Sequence, residues 1–90
     1  MLLYKWTRAS SVDSIMQEGL REQTYREVPG VCLSAHPTAW RTGRDDVRLV
    51  VELPDSLDCT VWLDPVQLCG QVDYIIPAAV LREHGTIRIG

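Results

Sequence analysis

The fold of this chain is decided near its start, by residues 2–20, LLYKWTRASSVDSIMQEGL. The apolar run Leu2–Trp6 contains two aromatic residues and predicts a short β-strand. The part that follows, 10–20, has apolar residues at helical spacing along one face. Gly19 stands where such a helix would end in a left-handed conformation. The domain is therefore predicted to open with a strand that leads directly into a helix.

Ser10 and Asp13 have the spacing of a capping box, which predicts the first turn of that helix. Beyond it the pattern changes to short elements, because no later apolar period runs as long. Polar, aperiodic segments predict loops at 21–29 and 41–46. Strands are predicted at 30–34, 47–53, 60–63, 71–76 and 86–89, and short helices at 36–40 and 78–84.

About six short strands and one main helix, without regular strand–helix alternation, predict an α+β domain rather than a doubly wound parallel sheet. The 90 residues suffice for one core, so a single domain over 1–90 is predicted. Phe is absent, and three Trp and three Tyr supply the bulky side chains. For so small a core, we expect self-association or a partner that supplies loops.

The composition excludes several classes of protein. Twelve acidic against nine basic residues give a net charge of −3, which disfavours a general nucleic-acid-binding protein. Arg41, Arg44 and Arg48 are close enough in sequence to form a local basic strip. No apolar run approaches the roughly 18 residues of a membrane span, and no signal-peptide pattern is present, so a cytoplasmic protein without a membrane partner is predicted. The three cysteines form no CxxC pair and predict free thiols, with no metal site.

Two polar residues are out of place in predicted strands. Asp73 lies in the mostly apolar strand 71–76, where strand alternation puts it on the same face as Gln71. A buried carboxylate is costly unless it is paired, and such groups are frequent at functional sites. The alternative is that Asp73 lies on an exposed face or caps a turn. Lys5 is a similar anomaly in the first strand, with a solvated lysine on an edge strand as its alternative.

Four short motifs in this order resemble the ADP-ribosyltransferase fold, in its poly(ADP-ribose) polymerase and RNA 2′-phosphotransferase branches. In that family the opening strand reads apolar-Tyr/Trp-His-Gly-Thr/Ser, and the first helix ends in Gly-Leu. A Gly-apolar-Tyr-apolar-Ser/Ala strand and a late Glu-Tyr-apolar-apolar strand follow. The corresponding segments here are LLYKWTR at 2–8, EGL at 18–20, GVCLS at 30–34 and DYII at 73–76. The resemblance covers most of the chain and implies a split β-sheet with an NAD-binding cleft between its halves.

The resemblance also implies an activity, the use of NAD to modify a protein or nucleic-acid acceptor. Asp73 takes the position of the catalytic Glu, which steadies the ribose as the glycosidic bond breaks. Gln71, two residues before it, corresponds to the group that orients the acceptor. The implied cofactor contacts are Lys5 at the His position, Thr7 at the Ser/Thr position, Trp40 as the stacking aromatic, and Ser34 and Tyr4 in the matching strands.

Three positions depart from the family pattern. Lys5 replaces His, Trp6 replaces Gly, and Asp73 is one methylene shorter than Glu. The chain is also shorter than most members of the family, so we expect some of the loops that close over NAD to be missing. These departures favour an alternative: a non-catalytic member of the fold that binds NAD or ADP-ribose, or that acts as a protein-interaction module. A third interpretation is a small α+β domain with an accidental similarity.

Overall fold

The computed structural model describes residues 1–25, 27–38, 43, 45–64 and 72–90. Within them the chain forms six β-strands, two α-helices and one short 3-10 helix, which is the predicted α+β class. Neither α-helix, nor any other helix in these ranges, is long and apolar enough to cross a membrane. The elements are β1 (Leu2–Thr7), α1 (Ala9–Glu18), β2 (Gln23–Tyr25), β3 (Val28–Ser34), β4 (Val47–Glu52), the 3-10 helix (Thr60–Trp62), β5 (Asp73–Ile76), α2 (Ala78–His84) and β6 (Thr86–Ile89).

All the strand pairs are antiparallel, and they form two groups of three strands. In one group, the first half of β3 pairs with β2 and its second half with β5. In the other, β1 pairs along its whole length with β4, and β4 pairs with β6. The two groups are joined at one register pair, Tyr4 of β1 with Ser34 of β3. The described residues of β1 and β3 on either side of this pair do not pair with each other.

The hydrophobic core lies on one face of the sheet. Because strand residues alternate between faces, Leu3, Leu33 and Leu49 point to the same side, where all three are fully buried. Ile15 of α1 and Leu81 of α2 pack against them. Burial of one such large aliphatic side chain contributes about 2 kcal/mol. We call this side the helix face; the opposite face carries Tyr4, Ser34 and Asp73.

Helix α1 begins differently from the prediction. No side chain within the helix caps its first turn, so the predicted capping box at Ser10 and Asp13 is wrong. The N–H of Ala9 instead donates to Oδ1 of Asp46, 2.9 Å away and distant in sequence. A carboxylate at this position also complements the positive end of the helix dipole. The end of the helix is as predicted, since Gly19 has a φ of +84°.

The prediction of a loop over 21–29 is wrong in its middle, which forms strand β2. This strand has three residues, and its register with β3 pairs Tyr25 with Val28 and Gln23 with Gly30. A strand this short has too few residues to show alternation. Its stability comes from the partner strand, which local sequence does not reveal.

Two further local predictions fail in the loops. The strand predicted at 60–63 is a 3-10 helix, in which Oδ1 of Asp58 accepts the N–H of Thr60 at 3.0 Å and its hydroxyl at 2.6 Å. Such side-chain hydrogen bonds compete with strand pairing. The helix predicted at 36–40 is a bend and turn over 35–38, and its last two residues lie outside the described ranges.

Gly30 is the position in β3 where a side chain has no room. A Cβ there would lie 2.7 Å from Cγ2 of Ile75 and 3.1 Å from the carbonyl oxygen of Ile76. We expect Gly30→Ala to lower the free energy of unfolding by about 2 kcal/mol, the usual cost of overpacking. Urea denaturation measures it, with Gly43→Ala as control because a Cβ there meets nothing within 4 Å. Equal midpoints for the two variants would contradict this prediction.

Candidate functional site

Three residues singled out by the sequence lie in one row across the sheet. The register pairs Tyr4 of β1 with Ser34 of β3, and Ser34 with Asp73 of β5. Residues that face each other across antiparallel strands point to the same side, with Cβ atoms about 5 Å apart. Ser34 is 1% exposed and Asp73 is 2% exposed. The row therefore brings a buried hydroxyl and a buried carboxylate together where the two strand groups join.

Backbone hydrogen bonds hold this row in place. The hydroxyl oxygen of Ser34 accepts the N–H of His36 at 3.0 Å, which orients the Ser34 side chain. The N–H of Ala35 donates to the carbonyl oxygen of Val72 at 2.9 Å and extends the pairing past the end of the strands. Of the two placements considered for Asp73, the structure has the buried one rather than the exposed one.

A second buried carboxylate, Asp64, extends the row, and the sequence did not reveal it. Its N–H donates to the carbonyl oxygen of Asp73 at 2.9 Å, and Leu63 forms an isolated antiparallel bridge with Tyr74. This register places Asp64 opposite Asp73, on the edge of β5 away from Ser34. Asp64 is 5% exposed. No local pattern points to it, because an aspartate between an apolar run and a proline is typical of a surface turn.

Tyr4 and Trp6 lie on the same face as this row, on the side of β1 away from the helices. The guanidinium carbon of Arg48 lies 5.4 Å from the centre of the Tyr4 ring, at cation–π distance. The indole N–H of Trp6 donates to the carbonyl oxygen of Pro37 at 3.0 Å. Trp6 thus anchors the 35–38 turn against this face, and Arg48 brings a positive charge to it.

Lys5 and Thr7 line a separate groove, with a volume of about 360 Å³, between β1 and α1. Both point to the helix face, on the opposite side of β1 from Tyr4. Lys5 is half-buried and pairs in register with Leu49 of β4, so it is not a solvated residue on a free edge. The positive charges of Lys5 and Arg21, together with several hydroxyl groups, suit the groove to an anionic ligand. Its other lining residues are Ser10, Ser11, Ser14, Ile15, Gly19, Leu20, Arg21 and Gln23.

The groove and the row lie on opposite faces of the sheet, and none of the residues that line the groove belongs to the row. Gln23 pairs with Gly30, which shares a strand face with Ser34 four residues later. Gln23 nevertheless lines the groove together with Lys5. Residues of both strand groups therefore line the groove. Lys5 and Asp73, however, lie on opposite faces of the sheet.

Tyr25 is an aromatic residue of β2, in the segment predicted to be a loop. Its register partner Val28 is on the same strand face as Cys32 and Ser34, so Tyr25 points to the side of the buried row. Burial, and then the nearby Cys32, raise the pKa of Tyr25, so it is neutral at physiological pH. The signal that could have located it is the Thr24-Tyr25 pair of strand-forming residues ahead of Pro29.

Two expected site residues, Trp40 and Gln71, lie outside the described residues, as do Arg41 and Arg44 of the basic strip. In the part of the chain that is described, no three His, Cys, Asp or Glu side chains are grouped so that they could hold a metal ion. No protein-family model, no curated protein and no solved structure matches this chain. Membership of the ADP-ribosyltransferase family therefore stays a prediction from the sequence motifs.

Proposed function

We propose that this chain binds NAD at the junction of its two strand groups and transfers ADP-ribose from it to an acceptor. One observation carries the proposal: Asp73 is buried beside Ser34 at the single register pair that joins the groups. The sequence motifs supply the expectation of a catalytic carboxylate at this position. The burial of Asp73 and its register pairing with Ser34 support this expectation, because a solvated carboxylate on the surface would not act as the catalytic group.

The chemistry assigned to Asp73 is electrostatic. When the bond between nicotinamide and ribose breaks, positive charge develops on the ribose ring as in an oxocarbenium ion. A fixed carboxylate in a site that excludes water stabilises this charge far more than water does. Ser34, whose hydroxyl oxygen is fixed by the N–H of His36, lies beside it as a hydroxyl donor toward the ribose.

The groove supplies the complementary anion site. The pyrophosphate of NAD carries two negative charges, and Lys5 and Arg21 both line the groove. Three serines of α1 add hydroxyl donors.

Titration calorimetry with NAD, ADP-ribose and nicotinamide tests binding, and release of nicotinamide from labelled NAD tests turnover. We expect NAD to bind and nicotinamide to be released with label transferred to an acceptor. Absence of binding by all three ligands would overturn the proposal.

A second candidate is a non-catalytic module that binds NAD or ADP-ribose. It is favoured by the placement of Lys5 and Thr7 on the helix face, while Ser34 and Asp73 lie on the opposite one. A displacement of about 1 Å in a reacting group can cost a hundredfold in rate, so binding without turnover would follow from imperfect alignment. Tight binding of NAD with no release of nicotinamide would establish this second function instead of the first.

The groove predicts a specific loss of affinity. We expect Lys5→Gln to raise the Kd for NAD about tenfold, the effect of losing about 1.4 kcal/mol from one charge-assisted contact with phosphate. Lys5→Arg should restore most of the affinity, and added salt should reduce the difference. The matched control is Arg82→Gln, which removes a charge on α2 outside this groove. Equal Kd values for Lys5→Gln and Arg82→Gln would contradict the assignment of the groove.

A further inference from the structure

The buried row holds one carboxylate more than stabilisation of a ribose cation needs. Asp64 and Asp73 oppose each other on adjacent chain segments, linked by the 2.9 Å hydrogen bond from the Asp64 N–H to the Asp73 carbonyl oxygen. The two side chains point to the same face, with Cβ atoms about 5 Å apart by the geometry of such pairs. Asp64 is thus within reach of any group that approaches the ribose at Asp73.

The surroundings of Asp64 set it apart from an ordinary turn residue. Leu63, directly before it, is 43% exposed, whereas Asp64 is 5% exposed and opposes Asp73 in the register. The other acidic residues of that loop, Asp55 and Asp58, are both exposed. Burying two carboxylates side by side costs stability. Two neighbouring carboxyl groups with divided roles are, however, the arrangement that glycosyl transfer uses, since one steadies the sugar and the other handles a proton.

We propose that Asp64 is the base that takes the proton of the acceptor, an inference that rests on the proposed function. In the step, a lone pair of the acceptor O–H or N–H group forms a bond to C1′ of the nicotinamide ribose. The bond from C1′ to the pyridinium nitrogen breaks, and its electron pair leaves with neutral nicotinamide. The proton of the acceptor passes to a carboxylate oxygen of Asp64. Asp73 stays beside the ribose and takes no part in the proton transfer.

This role defines the chemical class of the acceptor. A hydroxyl, an amide or base N–H, or a guanidinium must lose a proton as it attacks and therefore needs a base. A carboxylate acceptor is already ionised at neutral pH and needs none. The acceptor is therefore a group that carries an O–H or N–H proton, and the bond formed to ADP-ribose is a glycoside or N-glycoside rather than an ester.

The experiment uses the whole chain, labelled NAD and four probe acceptors: agmatine, a single-stranded DNA oligonucleotide, a serine peptide and a glutamate peptide. We expect the wild-type protein to label at least one of the first three, through an O- or N-glycosidic bond that mass spectrometry locates on the acceptor. Labelling of the glutamate peptide alone, through a bond that hydroxylamine cleaves, would overturn the inference while leaving the proposed function in place. This comparison of acceptors uses only the wild-type protein.

The variant arm compares Asp64→Asn with wild type. We expect transfer to the acceptor to fall about a hundredfold, as for loss of a general base, while the Kd for NAD stays within twofold. Formate should restore part of the activity of Asp64→Gly, which a purely structural role would not allow. Unchanged transfer by Asp64→Asn would overturn the inference alone. A wild-type protein that neither binds nor cleaves NAD would overturn the proposed function and this inference with it.

Discussion

We expect Asp73→Asn to lower the rate of nicotinamide release from NAD about a thousandfold, while the Kd for NAD changes by less than twofold. The asparagine keeps the size of the side chain and removes the charge that faces the developing ribose cation. Loss of one preorganised electrostatic group typically costs about 10² to 10³ in rate. Because Asp73 is 2% exposed, water is not available to replace the missing charge.

The measurement is single-turnover release of labelled nicotinamide, combined with calorimetric titration of NAD. Asp58→Asn is the matched control, since it removes an exposed carboxylate that precedes the 3-10 helix and lies outside β5. We expect the control to retain the wild-type rate. Thermal unfolding of both variants separates lost chemistry from lost folding. A rate for Asp73→Asn within tenfold of wild type would exclude Asp73 as the catalytic carboxylate.

We expect Leu33→Ala to lower the free energy of unfolding by about 3 kcal/mol, in the middle of the range for buried leucines. Leu33 is 0% exposed and lies in β3, the strand that joins its group to the other. Its side chain points to the helix face, opposite Tyr74 of β5. Truncation would leave a cavity at the centre of the core. Because a domain of this size has a small core, few neighbouring side chains can move to fill that cavity.

Leu63→Ala is the matched control for this variant. Leu63 also opposes Tyr74, from the other edge of β5, but it is 43% exposed. We expect its replacement to cost less than about 1 kcal/mol, since little buried area is lost. Urea denaturation gives both values, and the melting temperature of Leu33→Ala should fall by more than about 10 °C. Equal effects of the two variants would show that the core does not centre on β3.

Elements with a long or strong local pattern could be predicted from sequence. The apolar period and Gly19 were sufficient to predict α1, and the alternation of β-branched residues before Pro54 was sufficient to predict β4. Elements that depend on distant partners could not be predicted. β2 exists because β3 lies beside it, and the first turn of α1 is capped by Asp46, far along the chain.

For the candidate site, the sequence indicated that Asp73 and Lys5 were unusual, because each is an ionisable residue in an otherwise apolar strand. It could not indicate Asp64. That residue becomes part of the site through one antiparallel bridge, Leu63 with Tyr74, and no local pattern specifies which strands will meet. The placement of Lys5 and Asp73 on different sides of the sheet likewise follows from pairing, through the Tyr4–Ser34 contact.

By itself, then, the sequence determined the α+β class, the strand–helix opening at residues 2–20, and the two out-of-place ionisable residues. These follow from periodicity and from the cost of burying charge, which act over a few neighbouring residues. Only the tertiary structure decided that Ser34, Asp73 and Asp64 form one buried row, and that Lys5 and Thr7 line a groove on the other face. The physical reason is that register sets which side chains meet, and register depends on hydrogen bonds between segments far apart in the chain.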